Sequence, residues 1–213
     1  MSKEYKILLS IGLGAIILGI ILFRFTGEPA ENMPLVERTG TYIKGSATAK
    51  VTITEFADFQ CPACRTANDI SNQLLLAYPN DVKFVFRHFP LSGHPLSMIA
   101  AQAAEAAGTQ GKFWEMSDLL FEKQSEWGST SASKSSQEAL NFFVGYAGQL
   151  GLDQTAFKQA VESNTFADII NQDLAAGTAA GVNGTPSFYV NNSIVGQPSF
   201  EAIKQEIDKA LAQ

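Results

Sequence analysis

The chain has 213 residues, 46% of them hydrophobic, and a formal net charge of −6 at pH 7. This apolar content is enough for a sizeable core and excludes disorder for the bulk of the chain. Basic residues do not cluster with aromatic ones, and the negative excess lies entirely in residues 41–213. Binding to nucleic acid through phosphate neutralisation is therefore disfavoured.

The N-terminus carries an apolar run, Ile7–Phe23, that follows two lysines. As a helix this run spans ~25 Å, which is short but sufficient for a membrane span. Because positive charge precedes it, we expect residues 1–25 to form a cytoplasmic stub and a transmembrane signal anchor, with the rest outside the cytoplasm. The alternative is a cleaved signal peptide, but Thr26–Ala30 match the small-residue cleavage pattern poorly. Residues 26–40 are polar and contain two prolines, which indicates a linker.

Strand and helix patterns begin after the linker. Thr41–Lys44 is a candidate first strand, and Val51–Ala57 reads VTITEFA, a β-branched, alternating strand. Cys61 to about Tyr78 has the apolar face of a helix, with Pro62 in the first turn, where a missing N–H is tolerated. Val82–Phe89 reads VKFVFRHF and predicts another strand.

The middle of the chain is helical. From Pro95 to about Ala180 the pattern is interrupted by a low-complexity polar loop, Gly128–Gln137. The predicted helices are Ser97–Ala107, Lys112–Phe121, Glu138–Leu150, Asp153–Ser163 and Phe166–Ala180, with Asp153 as an N-cap.

A hairpin and a helix complete the chain. Pro186–Val190 is a predicted strand, Asn191–Asn192 a turn and Ser193–Val195 the returning strand. The terminal helix, Ser199–Ala212, starts at a serine cap.

The order of these elements is β-α-β, a helical block, then β-β-α. It predicts an α/β, thioredoxin-like fold over residues 41–212, preceded by the N-terminal transmembrane helix. The helical block, at about residues 93–180, is then an inserted helical domain.

Two residues separate Cys61 from Cys64, the only cysteines, at the point where a strand ends and a helix begins. A thiolate is a far better nucleophile than a thiol, and the free N–H groups of a helix N-terminus favour the negative sulfur. We therefore expect a lowered pKa for Cys61. Cys64 lies on the same helix face and should be more buried. An exposed Cys61 is predicted to form the mixed disulfide with substrate, and Cys64 to resolve it or to close the internal disulfide.

Two other interpretations of the cysteine pair stay open. The cysteines can be ordinary core residues, or they can be part of a copper-type thiolate site shared between two chains. A structural zinc site within one chain is disfavoured because it needs four ligands, and the only histidines are His88 and His94. Both histidines are interpreted as structural, and no metal is expected.

The CxxC segment FADFQCPACR, Phe56–Arg65, and the distant segment GVNGTPSFYVN resemble the DsbA family of thiol–disulfide oxidoreductases, in the thioredoxin-like superfamily. The resemblance covers residues 41–212 and is strongest for membrane-anchored proteins of the BdbD type. The segments RHFPLSGHP and GKFW also fit this family. A CxxC followed by a distant Gly-Thr-Pro is much more specific than a CxxC alone.

The resemblance implies roles for three residues outside the CxxC. Thr185–Pro186 is implied to be a cis peptide that faces the active-site disulfide, with the Thr185 backbone pairing with a strand of the substrate. Glu55 is implied to be a buried acid that moves a proton for Cys64. The alternative for Glu55 is a partly solvated strand residue, and Asp58 is interpreted as a turn or cap residue.

The family's redox centre needs no bound cofactor beyond the Cys61–Cys64 disulfide. DsbA proteins often have histidine between their cysteines, which helps to make them strong oxidants. Here Pro62–Ala63 occupies those positions, so the resemblance leaves the oxidising strength open.

The expected function is an extracytoplasmic oxidase that introduces disulfides into exported proteins with thiols. The family implies reoxidation by a quinone-linked membrane partner of the DsbB or vitamin-K-epoxide-reductase-like type. One alternative is a disulfide reductase or isomerase of the same fold. Isomerases of the DsbC and DsbG type carry a dimerisation domain, for which residues 26–40 leave no room. The other is a non-enzymatic thiol or copper-binding module.

Overall fold

The computed structural model describes residues 42–128 and 134–213. Its strands are β1 Ile43–Gly45, β2 Val51–Ala57, β3 Val82–His88, β4 Ser187–Val190 and β5 Ser193–Val195. Its helices are α1 Pro62–Ala77, α2 Ser97–Gly108, α3 Phe113–Glu122, α4 Gln124–Trp127, α5 Ser136–Gln149, α6 Gln154–Glu162, α7 Ala167–Ala179 and α8 Phe200–Leu211. The predicted anchor and linker lie outside the described ranges, and no helix inside them has the length and apolarity for a membrane span.

The strands form one mixed sheet in the order β1-β3-β2-β4-β5. β2 runs parallel to β3 and antiparallel to β4, while β1 and β5 add antiparallel at the two edges. This order and the helices between β3 and β4 confirm the predicted thioredoxin-like fold with a helical insertion. The pairing of β1 with β3 begins at Ile43, opposite Val85, while the predicted strand start at Thr41 lies outside the described residues.

The central strand β2 is buried along its whole length, including its two threonines and Glu55. Its alternation of polar and apolar residues is typical of a strand with one solvated face. Helices nevertheless cover both faces of the sheet. Ile53 and Ala57 belong to the main core with residues of α1 and α8, whereas Phe56 belongs to a second apolar cluster against α7.

Helix α7 closes this second face through a buried ion pair and a close backbone approach. The Asp173 carboxylate lies 2.7 Å from Nε of Arg87 and accepts a 3.1 Å hydrogen bond from the backbone N–H of His88. A Cβ at Gly177 would lie 2.7 Å from the ring of Phe89 and 2.8 Å from the ring of Phe56. Glycine therefore allows α7 to lie against the sheet.

Side-chain caps set several helix boundaries. The predicted cap Asp153 accepts hydrogen bonds from two N–H groups of α6, and Ser199 accepts one from α8. Helix α5 begins at Ser136, two residues before the predicted start, because Ser135 and Glu138 form a reciprocal capping box. The pattern did not predict α4, a four-residue helix that continues the chain directly after α3.

We expect Gly177→Ala to destabilise the protein. Alanine favours a helix by ~1 kcal/mol over glycine, but overpacking a filled core costs about 1–3 kcal/mol. The net loss should therefore be up to about 2 kcal/mol in urea denaturation.

Gly145→Ala is the matched control, because Gly145 lies inside α5 with nothing within 4 Å of its Cβ position. This variant should gain up to ~1 kcal/mol. Equal changes in the free energy of unfolding for the two substitutions would show that the contact of α7 with the sheet does not require glycine at position 177.

Candidate active site

The two cysteines lie at the N-terminus of α1, directly after the loop that leaves β2. Cys61 is the N-cap residue and Pro62 the first helical residue, as predicted. The N–H of Cys61 donates to the carbonyl of Asp58 at 3.0 Å, and the N–H of Cys64 donates to the carbonyl of Cys61 at 3.1 Å. Both cysteines are free thiols. The helix start therefore brings the two side chains together on one turn.

The two thiols differ in accessibility. Cys61 retains 7% of its surface and Cys64 none. The predicted order of burial is confirmed, but the expectation of a well exposed Cys61 is wrong. Its surroundings explain why: the Cys61 carbonyl accepts a hydrogen bond from Gln124 of α4, and its thiol donates to the Thr185 carbonyl at 3.4 Å. Only a small part of Cys61 is left for a substrate to reach.

The pKa of Cys61 is lowered from 9.0 to about 5. The largest cause is a hydrogen bond from the Cys64 thiol to the Cys61 sulfur, and burial opposes it. The Thr185 side chain and the N–H groups of Cys64 and Ala63 lower the pKa further. The predicted effect of the helix N-terminus is thus present, but the neighbouring thiol contributes more.

The pKa of Cys64 is raised, mainly because burial disfavours its charged form. The hydrogen bond to Cys61 and the charge of Glu55 act in the same direction. The backbone N–H of Asp58, 3.5 Å from the Cys64 sulfur, acts in the opposite direction. At neutral pH the pair is therefore an ionised Cys61 beside a protonated Cys64.

Glu55 lies inside the protein, on the face of β2 that α1 covers. It is 2% exposed, so the alternative of a partly solvated strand residue is wrong. Burial raises its pKa to about 8, against a lowering by the 3.3 Å hydrogen bond from Ser71 of α1. Its other carboxylate oxygen, Oε1, has no hydrogen-bond partner among the residues that the structure describes. A neutral carboxyl group here can give or take a proton close to neutral pH.

Thr185 and Pro186 lie opposite the cysteines, just before β4. The peptide bond between them is cis. The Thr185 carbonyl faces Cys61, and the hydroxyl oxygen of Thr185 is buried beside it. The structure thus brings Cys61, Cys64, Glu55 and Thr185 together, and the roles assigned to them from the sequence stay predictions.

Two glutamines that the sequence did not single out hold the CxxC loop to the helical block. Nε2 of Gln124 donates to the carbonyls of Phe59 and Cys61 at 2.8 and 2.9 Å. Gln60 accepts from the N–H of Leu96 at 2.7 Å and donates to the carbonyl of Gly128 at 3.3 Å. Both glutamines are buried, but no local pattern marks a glutamine as buried, because its partners are distant in sequence.

Both histidines have acidic partners, in keeping with a structural role. Nε2 of His88 lies 2.9 Å from Glu105 of α2, and Nδ1 of His94 lies 2.7 Å from Asp58. Within residues 42–128 and 134–213, no group of three or more His, Cys, Asp or Glu side chains is arranged so that it could hold a metal ion.

A thioredoxin sheet with a helical insertion, carrying a CxxC at the start of its first helix, defines a DsbA-like thiol–disulfide oxidoreductase. A family model described as Thioredoxin matches residues 37–209, and the chain belongs to this family.

Solved structures of oxidoreductases are similar over nearly their whole length. BdbD from Bacillus subtilis is 26% identical, with a TM-score of 0.74 over 84% of this chain and 96% of that one. A thioredoxin-like oxidoreductase from Silicibacter pomeroyi DSS-3 is 30% identical, with a TM-score of 0.68 over 83% of this chain and 95% of that one.

Curated relatives include much longer proteins. The Na(+)/H(+) antiporter NhaA 1 of Salinispora arenicola is 36% identical over 173 residues, which are 80% of this chain and 25% of the antiporter. The chain thus spans about a quarter of the length of this relative. Ion transport by the whole antiporter is therefore not assigned to this chain.

We expect Glu55→Gln to stabilise the protein above pH 4.5. A carboxyl group whose pKa rises from 4.5 to about 8 on folding binds more protons in the folded state than in the unfolded state. Its unfavourable contribution to the free energy of unfolding is absent below pH 4.5, grows between pH 4.5 and about pH 8, and is constant at higher pH. Glutamine does not titrate, so the variant should gain a few kcal/mol over the parent across this window.

Urea denaturation at about pH 4 and about pH 8.5 measures this difference. Glu115→Gln is the control, since Glu115 is exposed and paired with Lys112, which lowers its pKa. This control should lose a little stability or none. A gain for Glu55→Gln that is the same at both pH values would contradict a buried, neutral Glu55.

Proposed function

We propose that the protein is an extracytoplasmic oxidase that introduces disulfides into exported proteins through Cys61 and Cys64. The observation that carries this direction is the contrast between the two thiols. A low pKa at Cys61 stabilises the reduced protein as a thiolate at neutral pH. Stabilising the reduced form makes the corresponding disulfide a stronger oxidant.

The reaction transfers two electrons from substrate to protein. A substrate thiolate attacks the Cys61 sulfur of the Cys61–Cys64 disulfide, and Cys64 leaves with the electron pair and takes up a proton. A second substrate thiolate then attacks the substrate sulfur of the mixed disulfide, and Cys61 leaves as a thiolate. The substrate gains a disulfide, and the protein keeps the two electrons as a thiolate and a thiol.

Glu55 is suited to the proton that Cys64 takes up. It is buried on the face of β2 that α1 covers, close enough to Cys64 that its ionised form raises the pKa of that thiol. Because the pKa of Glu55 is raised to about 8, it is largely protonated near neutral pH and can supply a proton inside the core.

The backbone at Thr185 is the proposed substrate-binding element. Its carbonyl lies 3.4 Å from the Cys61 sulfur, so a polypeptide attached to Cys61 passes beside it. An extended substrate can then pair with the main chain before Pro186, as in other edge-strand recognition. This mode of binding contacts the backbone of the substrate rather than its side chains, and it therefore suits many exported substrates.

The membrane anchor and the reoxidant are part of the same proposal. The apolar run Ile7–Phe23 behind two lysines supports a cytoplasmic N-terminus and a catalytic domain outside the cytoplasm. The proposed reoxidant is a membrane partner of the DsbB or vitamin-K-epoxide-reductase-like type that passes the two electrons to a quinone, as the resemblance to the DsbA family implies.

The reduction potential of the Cys61–Cys64 pair tests the direction. Equilibration with glutathione should give a value nearer to ~−120 mV than to ~−270 mV, because the reduced form is stabilised. A value close to that of thioredoxin would reverse the proposal and favour the reductase.

Cys64→Ser tests whether the pair performs thiol exchange at all. Without the resolving thiol, mixed disulfides between Cys61 and substrate proteins should accumulate and be visible on non-reducing gels. Cys61→Ser is the control and should trap none. If Cys64→Ser traps none while copper binding is lost, the non-enzymatic thiol module replaces the oxidoreductase.

A further inference from the structure

Asp58 lies between β2 and α1, and its carboxylate is the centre of a buried hydrogen-bond network. It is 2% exposed. Oδ1 accepts from the N–H of Gln60 at 2.8 Å and from the hydroxyl of Ser97. Oδ2 accepts from the N–H of Leu91 at 3.0 Å and pairs with Nδ1 of His94 at 2.7 Å. The carboxylate is therefore held by four donors.

Three of these donors are far from Asp58 in sequence. Leu91, His94 and Ser97 lie 33, 36 and 39 residues away, in the loop after β3 and at the first residue of α2. A residue that only closed a turn would need its bond to Gln60 alone. The expected turn role is thus present, but it accounts for one of the four contacts.

The main chain of Asp58 contacts both cysteines. Its N–H points at the Cys64 sulfur at 3.5 Å, and its carbonyl accepts the N–H of Cys61 at 3.0 Å. Because the carboxylate is fixed to two other segments of the chain, Asp58 cannot turn its N–H away from the Cys64 sulfur without breaking several buried hydrogen bonds.

We propose that Asp58 is a positioning residue whose anchored carboxylate aims its own backbone N–H at the Cys64 sulfur and so stabilises Cys64 as a thiolate. This inference rests on the proposed thiol exchange. Cys64 carries negative charge twice: when it leaves the internal disulfide, and when it attacks Cys61 to expel a bound thiol. In the second step the Cys61–Cys64 bond forms, the bond from Cys61 to the bound thiol breaks, and that thiol leaves as a thiolate.

The effect is specific to the second cysteine. The donors that stabilise the Cys61 thiolate are the Cys64 thiol, the Thr185 side chain and the first N–H groups of α1. The Asp58 N–H is not among them, but it opposes the effect of burial on Cys64. Loosening Asp58 should therefore slow the reactions of Cys64 and leave the acidity of Cys61 in place.

Asp58→Asn tests this in full-length protein with oxidised glutathione as the probe. The asparagine side chain has the same size, but its NH₂ group faces hydrogen-bond donors and cannot accept from them. Reduced protein is mixed with glutathione disulfide, quenched with acid at intervals and analysed by mass spectrometry. This separates attack by Cys61, which forms the mixed disulfide, from its resolution by Cys64.

Resolution should slow roughly tenfold, the effect of weakening one hydrogen bond to a charged group, and its pH–rate profile should move to higher pH. The rate of Cys61 attack and the thiolate absorbance titration of Cys61 should stay as in the parent. Asp118→Asn is the matched control, because this carboxylate on α3 is 46% exposed and accepts from Asn68 of α1. It should change neither step.

Ser97→Ala removes one donor but leaves the Asp58 carboxylate and its other three contacts in place, and it should slow resolution in the same direction by a smaller factor. Equal slowing of both steps in Asp58→Asn, or unchanged resolution in both variants, would overturn the positioning role. The reduction potential of the parent protein and the trapping of mixed disulfides by Cys64→Ser are measured in separate experiments. An oxidase proposal that fails there is distinguishable from an Asp58 proposal that fails in the glutathione assay.

Discussion

The structure depends on placing a negative sulfur, itself mostly shielded from water, at the N-terminus of a helix. A thiolate there needs hydrogen-bond donors in place of water, and the start of α1 supplies them from its own first turn. The second thiol is the largest single contributor to the lowered pKa of Cys61, so the pair acts as a unit. One sulfur is ionised because the other is buried, protonated and close enough to donate.

Two carboxyl groups near this pair show how the number of donors decides behaviour. Glu55 receives one described hydrogen bond, from Ser71, and burial raises its pKa to about 8. Asp58, three residues on, receives four donors. A carboxylate surrounded by donors stabilises a fixed structure, whereas a buried carboxyl group with few donors exchanges its proton near neutral pH. Glu55, inside β2, can therefore exchange a proton, whereas Asp58, in the connection from β2 to α1, anchors that connection to distant segments of the chain.

The helical block takes part in the site as well as in the core. Gln124 of α4 binds two carbonyls of the CxxC loop, and residues 91–97 hold the Asp58 carboxylate. Stacking of Phe59 on Phe86 at 5.0 Å joins this loop to the sheet beneath it. Displacing the block would thus loosen the loop that carries Cys61, and this couples the insertion to the chemistry.

Much of this architecture was predictable from local patterns. The alternation of β2 and β3, the Asp153 and Ser199 caps and the position of the CxxC depend on neighbouring residues, and all of them are found. The order of strands and helices was enough to predict the topology, because few topologies accommodate β-α-β, helices and β-β-α. The relative burial of the cysteines also followed from helix periodicity.

Tertiary structure decided what depends on residues distant in the chain. The burial of Glu55 requires α1 and α8 to cover one face of β2, and the limited exposure of Cys61 requires Thr185 and Gln124 from other segments. One donor to Asp58 precedes β3 in the sequence and the other three follow it. The local turn pattern around Asp58 could therefore not reveal all four. The sequence by itself determined the fold and the candidate thiol pair, since helix and strand periodicity and CxxC spacing are local properties. Burial and hydrogen bonding, which set pKa values, depend on which distant side chains exclude water, and only the tertiary structure decides that.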